Sequence, residues 1–111
     1  MRIDELIKRV KVSHATEIDL LRRKGGDYSP GEDTLACFKR VAGAYGVEPI
    51  LVAAIYLEKH LDAVRTYIRE GRLNVESFGE HIIDARVYLN LIHALDKERS
   101  ERESTTDRRP R

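Results

Sequence analysis

The chain has 111 residues, of which 41% are hydrophobic and 35% are charged, and this balance predicts one helix-rich domain with a single core. Its 20 Lys and Arg residues nearly match its 19 Asp and Glu residues, which disfavours binding to nucleic acid or an anionic membrane through overall charge. The single cysteine, Cys37, excludes an intrachain disulfide. With no signal-peptide pattern at the start and no apolar run long enough to span a membrane, we expect a cytoplasmic protein.

Apolar residues at helical spacing predict a first helix from about Ile3 to Lys24. Gly25-Gly26 is expected to end it, because glycine adopts the left-handed closing conformation without steric cost. Ser29-Pro30-Gly31 then predicts a tight turn. The side chains expected to face inward are Ile3, Ile7, Val10, Ile18 and Leu21.

A second helix is predicted from about Glu32 to Tyr45, where Gly46 ends it. Its expected inward face consists of Leu35, Phe38, Val41, Ala42 and Tyr45.

The third predicted helix begins at Pro49, whose fixed φ suits the first helical position, and ends before Gly71. Its first turns, "ILVAAIYL", are apolar all round, which indicates either the centre of a bundle or an oligomer interface. Its principal stripe is Ala54, Leu57, Leu61, Val64 and Ile68.

The fourth helix opens with a capping box at Ser77 and Glu80. Helical periodicity fades after Lys97, so residues 98–111 are predicted to be a charged, flexible tail after a domain at residues 1–97. Short connections favour antiparallel neighbours, and the predicted fold is an all-α, small four-helix bundle. The inward residues of this helix are expected to be Phe78, Ile82, Ala85, Leu89, Ile92 and Leu95.

Several polar residues fall where apolar ones belong. His14 and His81 lie within apolar stripes. Each is either a core residue whose ring nitrogens are hydrogen-bonded or a member of a functional site formed by these polar residues together. Asp84, one turn before Tyr88, either orients the tyrosine hydroxyl or belongs to that functional site. Cys37 is interpreted as a small core residue.

Two acidic pairs with i,i+4 spacing, Glu58/Asp62 and Glu80/Asp84, predict a metal site. If these carboxylates face each other from the third and fourth helices, they suit Mg²⁺. The alternative is that Glu58 and Asp62 form a solvated ion-pair face with Arg65 and Arg69. Zinc is less favoured, because His81 and Asp84 have no His/Cys cluster beside them. The predicted Mg²⁺ ligands are Glu58, Asp62, Glu80 and Asp84.

The segments "KGGDYSPGEDTLACFKRVAGAYGV", "YLEKHLDAV" and "ESFGEHIIDARVYLNLI" resemble a family of small helical phage proteins, the nucleotide-modification-associated domains. The resemblance covers about Lys24 to Leu95 and rests on a Lys-x-x-Asp-Tyr turn, a Lys-His-Leu-Asp segment and an Asp-x-x-x-Tyr pair. Cys37 stands where the family often has asparagine. A more distant similarity connects the chain to all-α nucleotide pyrophosphohydrolases, although it lacks their E-E-x-x-E signature. The family positions are Lys24, Asp27, Tyr28, Phe38, Lys59, Asp62, Asp84 and Tyr88.

The resemblance implies a protein of the host-cell cytoplasm that binds a nucleotide or nucleotide-derived signal, sequestering it from host defence. One alternative is an Mg²⁺-dependent (deoxy)nucleotide pyrophosphohydrolase. Another is a non-catalytic, homo-oligomeric interaction module joined through "ILVAAIYL". Binding to nucleic acid ranks last. The expected ligand-binding residues are the family positions other than Phe38, together with the cation Arg65 of the third helix. They are Lys24, Asp27, Tyr28, Lys59, Asp62, Arg65, Asp84 and Tyr88.

Overall fold

The computed structural model describes residues 1–28 and 33–107, with side chains for residues 1–24 and 33–104. Within these ranges the chain forms four α-helices and no strand. The most extensive packing joins α3 and α4, while α2 lies against α3 and α1 against α4. The prediction of a small all-α bundle is therefore confirmed. The helices are α1 (Ile3–Tyr28), α2 (Ala36–Tyr45), α3 (Pro49–Glu70) and α4 (Phe78–Asp107).

The predicted helix ends and starts between Gly46 and Ser77 are confirmed. Gly46 and Gly71 close α2 and α3 in the left-handed conformation, with φ of 67° and 77°, which glycine adopts without a Cβ clash. Pro49 is the first residue of α3. At α4 the capping box forms, since the Ser77 N–H donates to Glu80 Oε2 and the Glu80 N–H donates to Ser77 Oγ.

Two boundaries earlier in the chain differ from the prediction. The α1 backbone stays helical through Gly25-Gly26 to Tyr28, because glycine lowers helix propensity but does not forbid the helical conformation. The helix α2 begins at Ala36, after Asp33 Oδ1 accepts the Leu35 N–H over 3.0 Å. The predicted turn at Ser29-Pro30-Gly31 and the predicted start at Glu32 lie outside the described residues.

The helix α4 continues to Asp107, beyond its predicted end at Lys97. Ion pairs replace apolar packing here: Arg99 Nη2 lies 2.7 Å from Asp96 Oδ1 one turn away, and Lys39 Nζ of α2 lies 2.9 Å from Glu98 Oε2. Periodicity of apolar residues cannot detect a helix end supported in this way. The domain boundary at residue 97 stays a prediction.

The core lies where α2, α3 and α4 meet. The helix α3 is bent away from α2 by 103°, so these neighbours cross instead of lying antiparallel as expected. One side of "ILVAAIYL" fills the centre of the bundle, whereas Leu51 and Ile55 on its other side stay exposed. The buried core residues are Leu35, Phe38, Ala42, Val52, Ala53 and Leu95.

Several residues predicted to face inward are exposed. In α4 the buried face is centred on Ala85 and Leu95, and Leu89 points away from it. At the end of α3, Tyr67 instead of Ile68 makes the contact, stacking on Phe78 with ring centroids 4.3 Å apart. The remaining corrections concern α1, whose early residues no neighbouring helix covers, and the last residue of α2. The exposed residues in question are Ile3, Ile7, Val10, Ile18, Tyr45, Ile68 and Leu89.

The helix α1 is attached to α4 partly through a buried acid. Glu17 is only 2% exposed, and its carboxylate accepts hydrogen bonds from Arg86 Nε over 2.8 Å and Asn90 Nδ2 over 2.9 Å. His14 Nδ1 lies 3.4 Å from the same carboxylate, although the His14 side chain itself is exposed. His14 is therefore neither a core residue nor part of the cavity described below.

No single helix within the described ranges is long and apolar enough to cross a membrane, and the bent α2–α3 pair meets that criterion only jointly, by length and composition.

Candidate functional site

Two buried histidines touch where α3 faces α4. The Nδ1 atoms of His60 and His81 lie 3.0 Å apart, and the two residues are only 6% and 9% exposed. A hydrogen bond across this distance requires one ring to donate and the other to accept. Because His81 Nε2 faces the Glu76 carboxylate at 3.6 Å, we infer that His81 carries its proton on Nε2 and accepts from His60.

Asp84 connects this histidine pair to α1. Lys24 Nζ donates a hydrogen bond to Asp84 Oδ1 over 3.2 Å, while Asp84 Oδ2 lies 3.8 Å from His60 Nδ1. The Asp84 side chain is largely buried, so its charge is balanced by Lys24 with little help from solvent. Side chains of α1, α3 and α4 thus converge on one carboxylate.

The same surroundings lower the pKa of His60. Burial is the largest cause, because it disfavours the charged imidazolium. Asp84 and Glu76 act in the opposite direction, whereas His81 and Lys59 add to the lowering. His60 is therefore held neutral beside Asp84.

An aromatic cluster borders the histidine pair. The Tyr88 ring stacks on His60 with centroids 5.5 Å apart and on Tyr56 at 5.9 Å. Phe38 meets both tyrosines edge-on, at 6.3 and 6.4 Å. These offset and T-shaped arrangements are the ones that aromatic rings prefer.

Phe38 and the two tyrosines, together with Lys24, line a cavity of about 110 Å³ between α1, α2, α3 and α4. Most of its wall is apolar, and its residues with polar side-chain atoms are Lys24, Thr34, Cys37, Tyr56 and Tyr88. An apolar cleft with a few polar groups is the usual form of a small-molecule site.

A larger groove of about 800 Å³, open to solvent, lies between α1 and the start of α4. Lys24 lines both this groove and the cavity. The charged residues along the groove are Arg23, Lys24, Glu76, Glu80 and Asp84.

The structure brings together only some of the predicted ligand-binding residues. Lys24 and Asp84 form an ion pair, and Lys24 and Tyr88 line the same cavity. Phe38 joins them there. The side chains of Asp27 and Tyr28 lie outside the described residues.

The other predicted residues lie on the solvent-facing flank of α3. Lys59, Asp62 and Arg65 are exposed, and Arg65 Nη1 pairs with Asp62 Oδ1 at 2.8 Å and with Glu58 Oε2 at 3.8 Å. Asp62 follows His60 by two positions, which places it about 200° around the helix from the buried face. The interpretation as a solvated ion-pair face describes this cluster.

The predicted Mg²⁺ ligands are not assembled. Glu58 and Asp62 pair with Arg65, Glu80 completes the capping box, and Asp84 is bound by Lys24. Among the side chains that the structure describes, no three from His, Cys, Asp or Glu are grouped to hold a metal. The donor set does not fit a Mg²⁺ site of the predicted composition.

Sequence reasoning missed His60 and Tyr56. His60 continues the buried side of α3, three positions after Leu57, so the test that singled out His14 and His81 applied equally to His60. Tyr56 gave no such signal, because a tyrosine within an apolar run is ordinary.

Comparisons of the chain with protein-family models, curated proteins and solved structures each find no match. The resemblance to nucleotide-modification-associated domains stays a prediction from sequence.

Proposed function

We propose that this protein binds a nucleotide-type small molecule, with the aromatic ring in the cavity and a polar group beside Lys24. The observation that carries the proposal is a cavity bordered by Phe38, Tyr56 and Tyr88 with Lys24 in its wall. Aromatic side chains hold nucleobases by stacking, and lysine binds anionic oxygens as a point charge.

The sizes of the cavity and of the adjoining groove favour a ligand with a planar ring and a polar extension. Ligand sites usually enclose roughly 300–1,000 Å³, so a cavity of about 110 Å³ has room for a planar ring but not for a whole nucleotide. The sugar and any phosphate would extend past Lys24 into the adjoining groove.

The charges along the groove favour a ligand with few negative charges. Glu76, Glu80 and Asp84 outnumber Arg23 and Lys24 there, and like charges in a confined space repel. A nucleoside or nucleoside monophosphate therefore fits better than a triphosphate.

Binding without turnover is favoured over hydrolysis. The acidic residues predicted to hold Mg²⁺ are engaged with separate partners, and His60, the buried base nearest Asp84, already contacts His81. Retention of the ligand, as in sequestration of a nucleotide signal, needs only the cavity and Lys24.

Calorimetric titration with nucleosides, monophosphates and triphosphates, with and without Mg²⁺, tests the proposal. We expect Tyr88→Leu to weaken binding about ten-fold through lost stacking, and Lys24→Gln to weaken monophosphate binding by a similar factor. Tyr45→Leu and Lys59→Gln are matched controls, because both residues are exposed outside the cavity, and they should bind as the wild type does.

Chromatography of the titrated mixtures measures turnover. Recovery of unchanged ligand after long incubation agrees with the proposal, whereas pyrophosphate release that depends on Mg²⁺ would establish the hydrolase instead. Absence of binding across the whole panel would refute the nucleotide proposal.

A further inference from the structure

Lys24 and Asp84 form an ion pair on the wall of the open groove. Lys24 Nζ of α1 lies 3.2 Å from Asp84 Oδ1 of α4. Both residues line the groove between these helices, and Lys24 also lines the adjoining cavity. An anionic group that enters the groove to reach the Lys24 ammonium therefore meets the Asp84 carboxylate as well.

The charge of Asp84 depends on Lys24. The Asp84 side chain is 14% exposed, against 31% for Lys24, so water solvates the carboxylate less than the ammonium. Among the described side chains, the other basic group at ion-pair distance is His60, whose Nδ1 lies 3.8 Å from Asp84 Oδ2. This distance is too long for a hydrogen bond, and because burial lowers the pKa of His60, its ring stays neutral. Lys24 is thus the cation that balances Asp84.

This dependence makes Asp84 a competitor of any phosphate group on a ligand. A phosphate that draws Lys24 away leaves a largely buried carboxylate without its cation, and a buried charge without a partner is costly. A phosphate that shares Lys24 with Asp84 is instead held next to a like charge, which repels it. In both arrangements, part of the attraction between the ammonium and the phosphate is lost.

We propose that Asp84, by occupying Lys24, makes the site select an uncharged nucleoside over the phosphorylated forms of the same nucleoside. The inference rests on the proposed nucleotide site and narrows its ligand class. The hydroxyl groups of a sugar suit the ion pair, because they can accept a hydrogen bond from the ammonium and donate one to the carboxylate without adding charge. Asp84 is therefore a specificity-determining residue of the site.

Two other acids along the groove act in the same direction, but less strongly. Glu76 and Glu80 also line the groove, and both are exposed. Solvent therefore screens their repulsion of a phosphate, and neither is the ion-pair partner of Lys24 in the described part of the chain. Asp84 is thus the acid whose removal should change the ligand preference most.

Calorimetric titrations in the absence of Mg²⁺, with adenosine against AMP and with uridine against UMP, test the proposal. The wild type should bind each nucleoside at least as tightly as its monophosphate. Asp84→Asn keeps the size of the side chain and removes its charge, so Lys24 becomes available to a phosphate. The ratio of monophosphate affinity to nucleoside affinity should then rise about ten-fold, as expected for a hydrogen bond between charged groups.

Two control variants separate the role of Lys24 from that of net charge. Asp62→Asn makes the same change of charge on the solvent-facing flank of α3, outside the cavity and the groove, so its affinity ratio should equal that of the wild type. Adding Asp84→Asn to Lys24→Gln should raise the ratio less than about three-fold, because the two effects are coupled through one contact. A full rise in that background would show that Asp84 acts only by its own charge, and would overturn the proposal.

The outcomes also distinguish this inference from the proposed function. If the wild type binds none of the four compounds, the nucleotide site itself is refuted. If the wild type binds but prefers a monophosphate, or if Asp84→Asn leaves the ratio unchanged, the nucleotide site remains and the role of Asp84 is overturned. Circular dichroism checks that Asp84→Asn is folded, and the preference of the wild type tests the proposal without any variant.

Discussion

Glu17 illustrates how a single residue can hold a whole helix in place. Its carboxylate lies between Arg86 and Asn90 of α4 and is almost completely removed from solvent. A buried charge is tolerated only when it is paired and hydrogen-bonded. Since Lys24 and Asp84 form a second ion pair between the described parts of these helices, the attachment of α1 depends strongly on polar contacts.

We predict that Glu17→Ala lowers the free energy of unfolding by about 2 kcal/mol, because it leaves the Arg86 guanidinium, itself partly exposed, without its partner. Asp19→Ala is the matched control on the same helix, since the Asp19–Arg23 pair is exposed and should contribute less than about 1 kcal/mol. Urea unfolding measures both. Equal effects of the two substitutions would show that the buried network adds nothing.

At the scale of elements, local signals in the sequence predicted the four helices and several of their ends. Gly46, Gly71, Pro49 and the Ser77 capping box act through backbone geometry within one turn, so sequence alone suffices to recognise them. The continuation of α1 through Gly25-Gly26 was missed, because neighbouring turns can override a weak local preference.

The candidate site was predicted only in part, for a reason of helix orientation. Lys24, Asp84 and Tyr88 were identified, yet Lys59, Asp62 and Arg65 were assigned to the same site although they face solvent. Spacing along one helix shows which residues share a side. It does not show which side meets a neighbouring helix, so the site required the packing of α3 on α4.

The C-terminal extension of α4 permits a prediction at this scale. Its contacts with the bundle include Lys39–Glu98 and Arg102–Glu48, and both pairs are substantially exposed. Truncation after Lys97 should therefore cost less than about 1 kcal/mol while removing the helical signal of the lost residues. Urea unfolding followed by circular dichroism measures both quantities. Loss of cooperative unfolding would show that the domain extends beyond residue 97.

Across the whole molecule, the buried His60 joins the stability of the bundle to pH. His60 lies on α3, the helix that packs on both α2 and α4, and burial lowers its pKa below the ordinary value of 6.5. The folded state therefore resists protonation of His60, because burial disfavours the charged imidazolium, while the unfolded chain does not.

The direction of the pH effect follows from proton binding. Above about pH 6.5 His60 is neutral in both states, so its contribution to stability is fully present. Below that value the unfolded chain binds the proton more readily than the folded protein, and the free energy of unfolding falls as the pH falls towards the pKa of folded His60. Most carboxylates titrate below this window. Urea unfolding between about pH 7 and pH 5.5 should thus show a decline in the free energy of unfolding, and His60→Gln should reduce this decline. His14→Gln is the control: the His14 side chain is exposed, so this variant should show the same decline as the wild type. A decline of equal steepness in His60→Gln would show that His60 does not couple folding to protonation.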